Sequence, residues 1–405
     1  MMMMRMEDRW QNLYPGVNTK SEEFTSEILA ANTSSLKLHF QLHAEDGNQT
    51  SVTKFILLGF GDLPELQILL FMLFLVIYFM TMAGNILIIV LIVADQHLHT
   101  PMYFFLGNLS CLEICYTSTI LPRMLASLLT GDRTISVSGC IMQFNWFSSL
   151  AAVECALLAV MSYDRYLAIC KPLHYATQMN GSLCLQMASL SWISGFLAST
   201  VTTSLLAQFT FCGPNEINHF FCDFTPLIKL SCSDTSRMEL VTFILSSIFT
   251  LPAFLLTVTS YISIIASILR IPSTMGRQKA FSTCSSHLIV VTIFYGTLMI
   301  VYMLPDSATV ENLNKMFSVF YTVLTPMVNP LIYSLRNKEV NRALRKALVK
   351  YVPFPQKSVK SSKMDLVLRD QGSKYTTMYQ RPQCKSKSPS ELDKDTLLTI
   401  SGLKG

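Results

Sequence analysis

Long, nearly unbroken apolar runs dominate the middle of this 405-residue chain. From Leu66 to Ala94 almost every position is apolar. At about 1.5 Å per residue, such a run exceeds the roughly 20 residues a helix needs to cross hydrocarbon. Comparable stretches lie near 101–128, 138–163, 183–207, 239–269, 282–304 and 316–335. The pattern predicts an all-α membrane protein, a seven-transmembrane helix bundle. Around it, residues 1–54 are polar and lack a sustained period, as expected of a disordered extracellular tail. The bundle is expected over 55–336, a short basic amphipathic helix on the inner leaflet over 337–350, and a disordered cytoplasmic tail over 351–405.

Charge sets the expected orientation. With the amino terminus outside, the cytoplasmic side holds Arg165, Lys171, Arg270, Arg277, Lys279, Arg336, Lys338, Arg342, Arg345, Lys346 and Lys350. The outer side then holds only Lys54, Arg123, Arg133, Lys229, Arg237 and Lys315, the bias expected of an outside amino terminus. The chain is 51% hydrophobic and 14% charged, with a formal net charge of +5. Its basic residues are not gathered on a soluble domain, which argues against a nucleic-acid partner. Met1 to Trp10 is polar, so the first span itself is expected to act as the targeting signal. Asn48 and Asn32 begin glycosylation sequons in an outer position. The same pattern at Asn108 lies in a span and at Asn180 on the cytoplasmic side, where neither is expected to be modified.

Polar residues inside the spans carry the candidate chemistry. Asn85 interrupts the first span, and a buried amide needs partners on neighbouring helices. Glu113 and Glu154 fall near mid-depth with no intramembrane Lys or Arg to match them. Either both are protonated, held by Asn85 or Asn329, or a sodium ion or proton sits between them. The outer-side cysteines Cys140, Cys212, Cys222 and Cys232 allow three pairings. His287 suits a satisfied helix histidine more than a pH switch. Tyr295, Leu298 and Tyr302 share one helix face. In the last span Pro330 removes a backbone donor and loosens the helix, and Asn329 is expected to satisfy freed groups. The third span is expected to end at Asp164-Arg165-Tyr166. Its arginine either snorkels to the headgroups or is held by Asp164 until a cytoplasmic partner competes for it.

Several strings carry a family resemblance over about 48–350. Seven spans, Asn85, Asp164-Arg165-Tyr166, Trp192 and Asn329-Pro330-x-x-Tyr333 resemble a rhodopsin-type G-protein-coupled receptor. Pro101 to Leu106, Met161 to Cys170, Ser260-Tyr261, Lys279 to His287 and Pro326 to Asn337, in this order, are similar to odorant receptors of the tetrapod type. The resemblance implies a Cys140–Cys222 bridge, with Cys212 and Cys232 as a second. It implies that Arg165 meets the G protein once the sixth and seventh spans move, with Tyr261 and Tyr333 stabilising the open form. Glu113 and Glu154 match acidic positions like those of the family's sodium site, and Tyr295 stands where most rhodopsin-like receptors carry a tryptophan switch. The expected partner is a heterotrimeric stimulatory olfactory G protein that raises cyclic AMP, at the plasma membrane of olfactory cilia. Two features depart from the pattern: over forty residues precede Asn48, and the tail continues to Gly405.

Depth along the helices places the expected odorant pocket. Phe147 and Ala151 lie about 20–27 Å from the cytoplasmic end, flanked by Ser148 and Ala152. Leu245, Phe249, Tyr295, Leu298, Tyr302 and Thr322 are expected at similar depth. An apolar, aromatic lining with a few hydroxyls suits a small, uncharged volatile molecule. An enzyme is not expected: no Gly-x-Gly-Asp string lies in any span, no His-Glu-x-x-His string occurs, and nothing beside Glu113 and Glu154 would position a nucleophile. A cation-coupled transporter would show paired broken helices in its two halves, and none is legible. A receptor of this fold working outside the olfactory epithelium reads the same in sequence.

Overall fold

The computed structural model describes residues 52–351 apart from 62–63, 213, 304–307 and 337. The sequons at Asn32 and Asn48 and the tail beyond 351 lie outside the described residues. In chain order the elements are β1 (Lys54–Leu57), α1 (Pro64–Ala94), a 3-10 turn (Gln96–Leu98), α2 (Pro101–Thr130), β2 (Thr134–Ser136), α3 (Val137–Cys170), α4 (Pro172–Gln178) and α5 (Gly181–Leu206). There follow β3 (Glu216–Ile217), α6 (Phe224–Lys229), α7 (Ser236–Leu269), α8 (Thr274–Met303), α9 (Ala308–Val319), a π-helical turn (Phe320–Leu324), α10 (Thr325–Arg336) and α11 (Lys338–Tyr351). By length and composition α1, α2, α3, α5 and α7 can each cross a membrane among the described residues, and α8 adds an apolar stretch at His287–Met299. The π turn runs directly into α10, so α9 and α10 together form the last of the seven.

Local chemistry sets most boundaries. Pro101 opens α2, where a missing N–H costs nothing, and Gly131 closes it at φ 75°, a left-handed conformation suited to glycine. Ser136 and Asn180 cap α3 and α5, accepting from the Gly139 and Leu183 N–H groups. Asn180, the second internal sequon, thus serves as a helix cap. One boundary differs from expectation: α3 does not stop at Asp164 but continues to Cys170. Asp164 and Arg165 neutralise each other, so the charges need not leave the helix. It ends only at Lys171, where Pro172 disfavours helical backbone in the residue before it. The tight seam between α3 and α5 depends on Gly195, where an added Cβ would lie 2.6 Å from Val153 Cγ2 and 2.8 Å from the Ser149 carbonyl oxygen.

The seventh helix also departs from expectation. Its irregular turn is π-helical and lies over Phe320–Leu324, with Thr325 Oγ1 donating to the Phe320 carbonyl at 3.0 Å. The helix then passes through Pro330. A prolyl residue at 330 cannot donate to the carbonyl four residues back, that of Pro326. Asn85 Nδ2 supplies the missing donor, 3.1 Å from the Pro326 oxygen, so Asn85 rather than Asn329 satisfies the freed group. The ring of Pro330 lies so near α1 that a Cβ on Gly84 would meet its Cγ at 3.1 Å.

One end of the bundle carries a cap. β1 pairs antiparallel with β2 and parallel with β3, in the order β2-β1-β3. Strand β1 therefore straddles the boundary expected between tail and bundle at 54/55. Cys140 on α3 is bonded to Cys222, and Cys212 to Cys232, with Cα separations of 5.5 and 5.8 Å. These are the two implied pairings. The loop between α5 and α7 is thereby held across the bundle. Phe60 stacks on both Phe74 and Phe220, at 5.5 and 5.4 Å. Lys315 Nζ donates to the Gly59 carbonyl at 2.9 Å and to Asn218 Oδ1 at 2.6 Å, joining the last helix to the turn after β1 and to the loop. His219 is buried beneath and accepts from the Phe221 N–H at 3.4 Å.

Two outcomes test the cap. Cys140→Ser should cause intracellular retention, because losing a structural disulfide commonly costs about 2–5 kcal/mol; surface staining equal to wild type would contradict the role given to this bridge. Burial, with the Lys315 ammonium nearby, pushes the His219 imidazole down to about 3, against about 6.5 when unfolded. The folded state resists the proton, so stability is intact above about pH 6.5 and falls as pH drops toward 3, by up to about 1.4 kcal/mol per unit. The melting temperature should therefore drop between about pH 7 and pH 5 in wild type and much less in His219→Gln; equal slopes would contradict the account.

Candidate functional site

The site is built where the cap meets the bundle. Phe147 lies two turns below Cys140 on the same face of α3. The Cys140–Cys222 bridge therefore brings Phe221 down onto it, with ring centroids 4.7 Å apart. Tyr116 of α2 and Tyr321 of the π turn complete the cluster at 5.5 and 6.2 Å from Phe147. Ala151 and Leu298 pack against this group. Thr322 is fully buried and donates to the Ser318 carbonyl at 2.6 Å.

Other expected lining residues fall elsewhere. The Ser148 hydroxyl turns toward α5, bonding with Ser199 and with the Phe144 carbonyl. Phe249 is 38% exposed on the outside of α7, and Leu245 and Ala152 are half-buried. Tyr295 is buried deeper, donates to the Cys155 carbonyl at 3.1 Å and meets Phe254 edge-on at 5.4 Å. The Tyr302 side chain lies outside the described residues. Sequence reasoning missed Tyr116, Tyr321 and Phe221. Phe221 was within reach, since it precedes Cys222 directly and the implied bridge already set it above Phe147. Tyr116 and Tyr321 carried no comparable signal.

Below this cluster lie the two acids. Glu113 and Glu154 are fully buried and close enough to interact electrostatically. Asn329 Nδ2 donates to Glu113 Oε1. Glu113 Oε2, both Glu154 oxygens and the Tyr116 hydroxyl have no hydrogen-bond partner among the described residues. Orphaned acceptors in so dry a place require protons or a cation. A group of three or more Asp, Glu, His or Cys residues suited to a metal does not occur among the described residues.

The opposite end of α3 carries the charged pair. Arg165 is only 9% exposed, and its Nε lies 2.9 Å from Asp164 Oδ2, with a second bond from Nη2 to the same oxygen. A snorkelling side chain would instead reach solvent. Tyr175 on α4 donates to Asp164 Oδ1 at 2.8 Å, so both carboxylate oxygens are engaged. Tyr166 packs beside Tyr163 and against the Tyr261, Ile264 and Ile268 cluster. The Tyr261 hydroxyl lies 2.6 Å from His287 Nδ1, tying α7 to α8. Nearby, α11 docks through Tyr103 to Glu339 at 2.8 Å and Lys346 to Asp95 at 3.2 Å. The Tyr333 side chain lies outside the described residues.

Comparison with known proteins finds relatives over most of the chain. Residues 74–351 match the family described as olfactory receptor. The chain is 51% identical over 302 residues to the human olfactory receptor 11A1, covering 75% of this chain and 95% of that protein. It is 49% identical over 308 residues to the mouse olfactory receptor 5AP2, covering 76% and 97%. It is also 49% identical over 304 residues to the human olfactory receptor 6N1, covering 75% and 97%.

Proposed function

The chain belongs to the olfactory receptor family, and from that premise we propose that it binds small, uncharged volatile molecules around Phe147 and drives a stimulatory olfactory G protein that raises cyclic AMP. It is an odorant receptor of the G-protein-coupled kind, a seven-transmembrane protein and not an enzyme. The proposal further sets the disulfide-bearing end outside the plasma membrane of olfactory cilia and the Arg165 end in the cytoplasm.

One observation carries the signalling reading: Arg165 is buried at the end of a spanning helix, held by an aspartate whose other oxygen is occupied by Tyr175. A charge so held is stable while paired and costly while exposed to hydrocarbon without a partner. In the proposed mechanism, ligand pressure on Phe147, Tyr295 and Leu298 moves α8 and the last helix. This opens the seam held by Tyr261 and His287, and Arg165 turns from Asp164 to the G protein. Asn329 and Pro330 are the proposed hinge, and Tyr333 a stabiliser of the open form. On the ligand side, the aromatic and aliphatic groups around Phe147 offer apolar contact, and the acids lie deeper on the same helices. That arrangement suits uncharged ligands better than amines.

The orphaned oxygens of Glu113 and Glu154 fit a single monovalent cation, and sodium is the proposed occupant. When bound, the ion would balance one carboxylate while the other acid keeps its proton, and it would hold α2, α3 and, through Asn329, the last helix in the inactive arrangement.

Two experiments test these readings. In cells carrying the olfactory G protein and a cyclic AMP reporter, Arg165→Ala should abolish responses to a volatile panel while leaving surface amount unchanged. Responses equal to wild type would remove Arg165 from coupling. Glu154→Gln should flatten the dependence of agonist potency on sodium, with choline as the replacing cation; a sodium titration identical to wild type would indicate protonated acids instead.

A further inference from the structure

The capped end leaves little room for a ligand to arrive from water. Two disulfides, the three-stranded sheet, the Phe74–Phe60–Phe220 stack and the Lys315 bonds all lie across it, and Phe221 rests on Phe147. The side of the bundle differs. Between Glu239 and Leu256, no residue of α7 is buried on any face. Beyond that point Thr257, Ser260, Tyr261, Ile264 and Ile268 all are. A helix seated in a bundle buries one stripe along its whole length. Here the fully buried stripe occupies the half nearer Arg165 and returns only at Met238, which is seated in the core beside the disulfide-bearing loop, so the stretch between them is the loosely packed part of the helix. A lipid-facing surface alone does not explain this, because the inward face of the same stretch, with Leu245, Ser247, Thr250 and Phe254, is itself only half-buried.

The face of α7 that meets α8 can be followed upward. Phe254 touches Tyr295, and four and seven residues earlier, on the same face, stand Thr250 and Ser247, both half-buried. Their side chains are too short to fill the space a larger apolar residue would close. On α8, Leu298 packs on two clusters at once, the one containing Tyr295 and the one containing Phe147. Leu298 therefore links the Phe254–Tyr295 contact at the α7–α8 seam to the Phe147 cluster.

The geometry points to a lateral portal: small apolar molecules reach the Phe147 site from within the bilayer, between the disulfide-side halves of α7 and α8, over a floor formed by Phe254 and Tyr295. The inference rests on the ligand-binding reading above. It explains how a closed cap and an apolar site coexist, since volatile apolar compounds partition into hydrocarbon before they reach the receptor. Phe249, exposed on α7, then belongs to the lipid side of the portal and not to the interior of the site.

Tryptophan quenching tests the portal without any odorant. Phe254→Trp and Leu251→Trp receptors would be placed in nanodiscs of phosphatidylcholine brominated along its acyl chains, with wild type subtracted. Leu251 is 54% exposed and marks full lipid contact. The portal predicts loss of at least half as much signal at position 254 as at 251, with no quenching at 254 by aqueous iodide. Quenching at 251 alone, or iodide quenching at 254, would overturn it. If Phe254→Trp does not fold, Thr250→Trp takes its place under the same criteria. In the reporter assay Thr250→Trp should slow response onset to the most lipophilic volatile agonists by about tenfold, whereas Lys315→Met, which loosens the cap, should not hasten it. The reverse pattern would overturn the portal. Silence of the wild-type receptor toward every volatile would instead count against the ligand reading, and the quenching result would still decide whether the portal exists.

Discussion

A single missing N–H organises the middle of this bundle. Pro330 cannot bond to the Pro326 carbonyl, and inside a membrane no water is at hand to replace the donor. The oxygen must be met by a side chain, and Asn85 meets it at 3.1 Å. For that amide to reach, α1 has to lie against the seventh helix, which Gly84 permits by leaving room for the Pro330 ring. With Asn85 so committed, Asn329 is released to face the other way and bond Glu113. The position of the acid on α2 thus depends on a proline in the last helix, and two helices distant in sequence are fixed by one unsatisfied oxygen.

The capped end depends on a covalent constraint instead. Cys140 sits at the start of α3, and the loop bonded to it must cross above Phe147. Phe220 and Phe221, just before Cys222, are aromatic and buried, as a segment forced over the mouth of an apolar bundle has to be. The same bridge that stabilises the fold therefore places the ceiling of the proposed ligand site. Any change in the loop's height is transmitted to Phe147, and through the Tyr116 and Tyr321 rings to the region above the acid pair.

Much of this was legible in the chain, and the exceptions have physical causes. Apolar runs gave the helices because a span must be nearly continuous in hydrophobicity. Asn85 and Glu113 stood out because a buried polar group in hydrocarbon demands a partner. The partner itself was harder to name: Asn329 and Asn85 both had the chemistry to cap the freed carbonyl, and only helix rotation decided. Rotation also misplaced Ser148, which depth alone set beside Phe147 but which faces α5. Depth is set by counting residues, whereas facing is set by packing across helices. The end of α3 was misjudged because charge was treated as a stop signal, and charges that pair with each other have no need to leave the helix. Phe249 was misplaced because depth along α7 does not reveal which residues turn outward, and Phe249 is 38% exposed.

The proposed switch region can be understood from the same electrostatics. An arginine and an aspartate adjacent in sequence form a pair that needs no other helix, so α3 alone can hold its charge in the resting state. Such a pair is poorly solvated but neutral, and pulling it apart without a new partner would leave each ion exposed to its full desolvation cost. Tyr175 adds a bond from α4 to the remaining Asp164 oxygen, so the carboxylate stays satisfied at one oxygen even when Arg165 departs. The arrangement therefore lowers the cost of release on the acidic side while leaving the guanidinium to find a new acceptor. In the proposed mechanism a ligand acting near Phe147 need not break the pair directly. It has only to shift the Tyr261 and His287 seam enough for an acceptor from the G protein to approach Arg165, because the competition between acceptors does the rest.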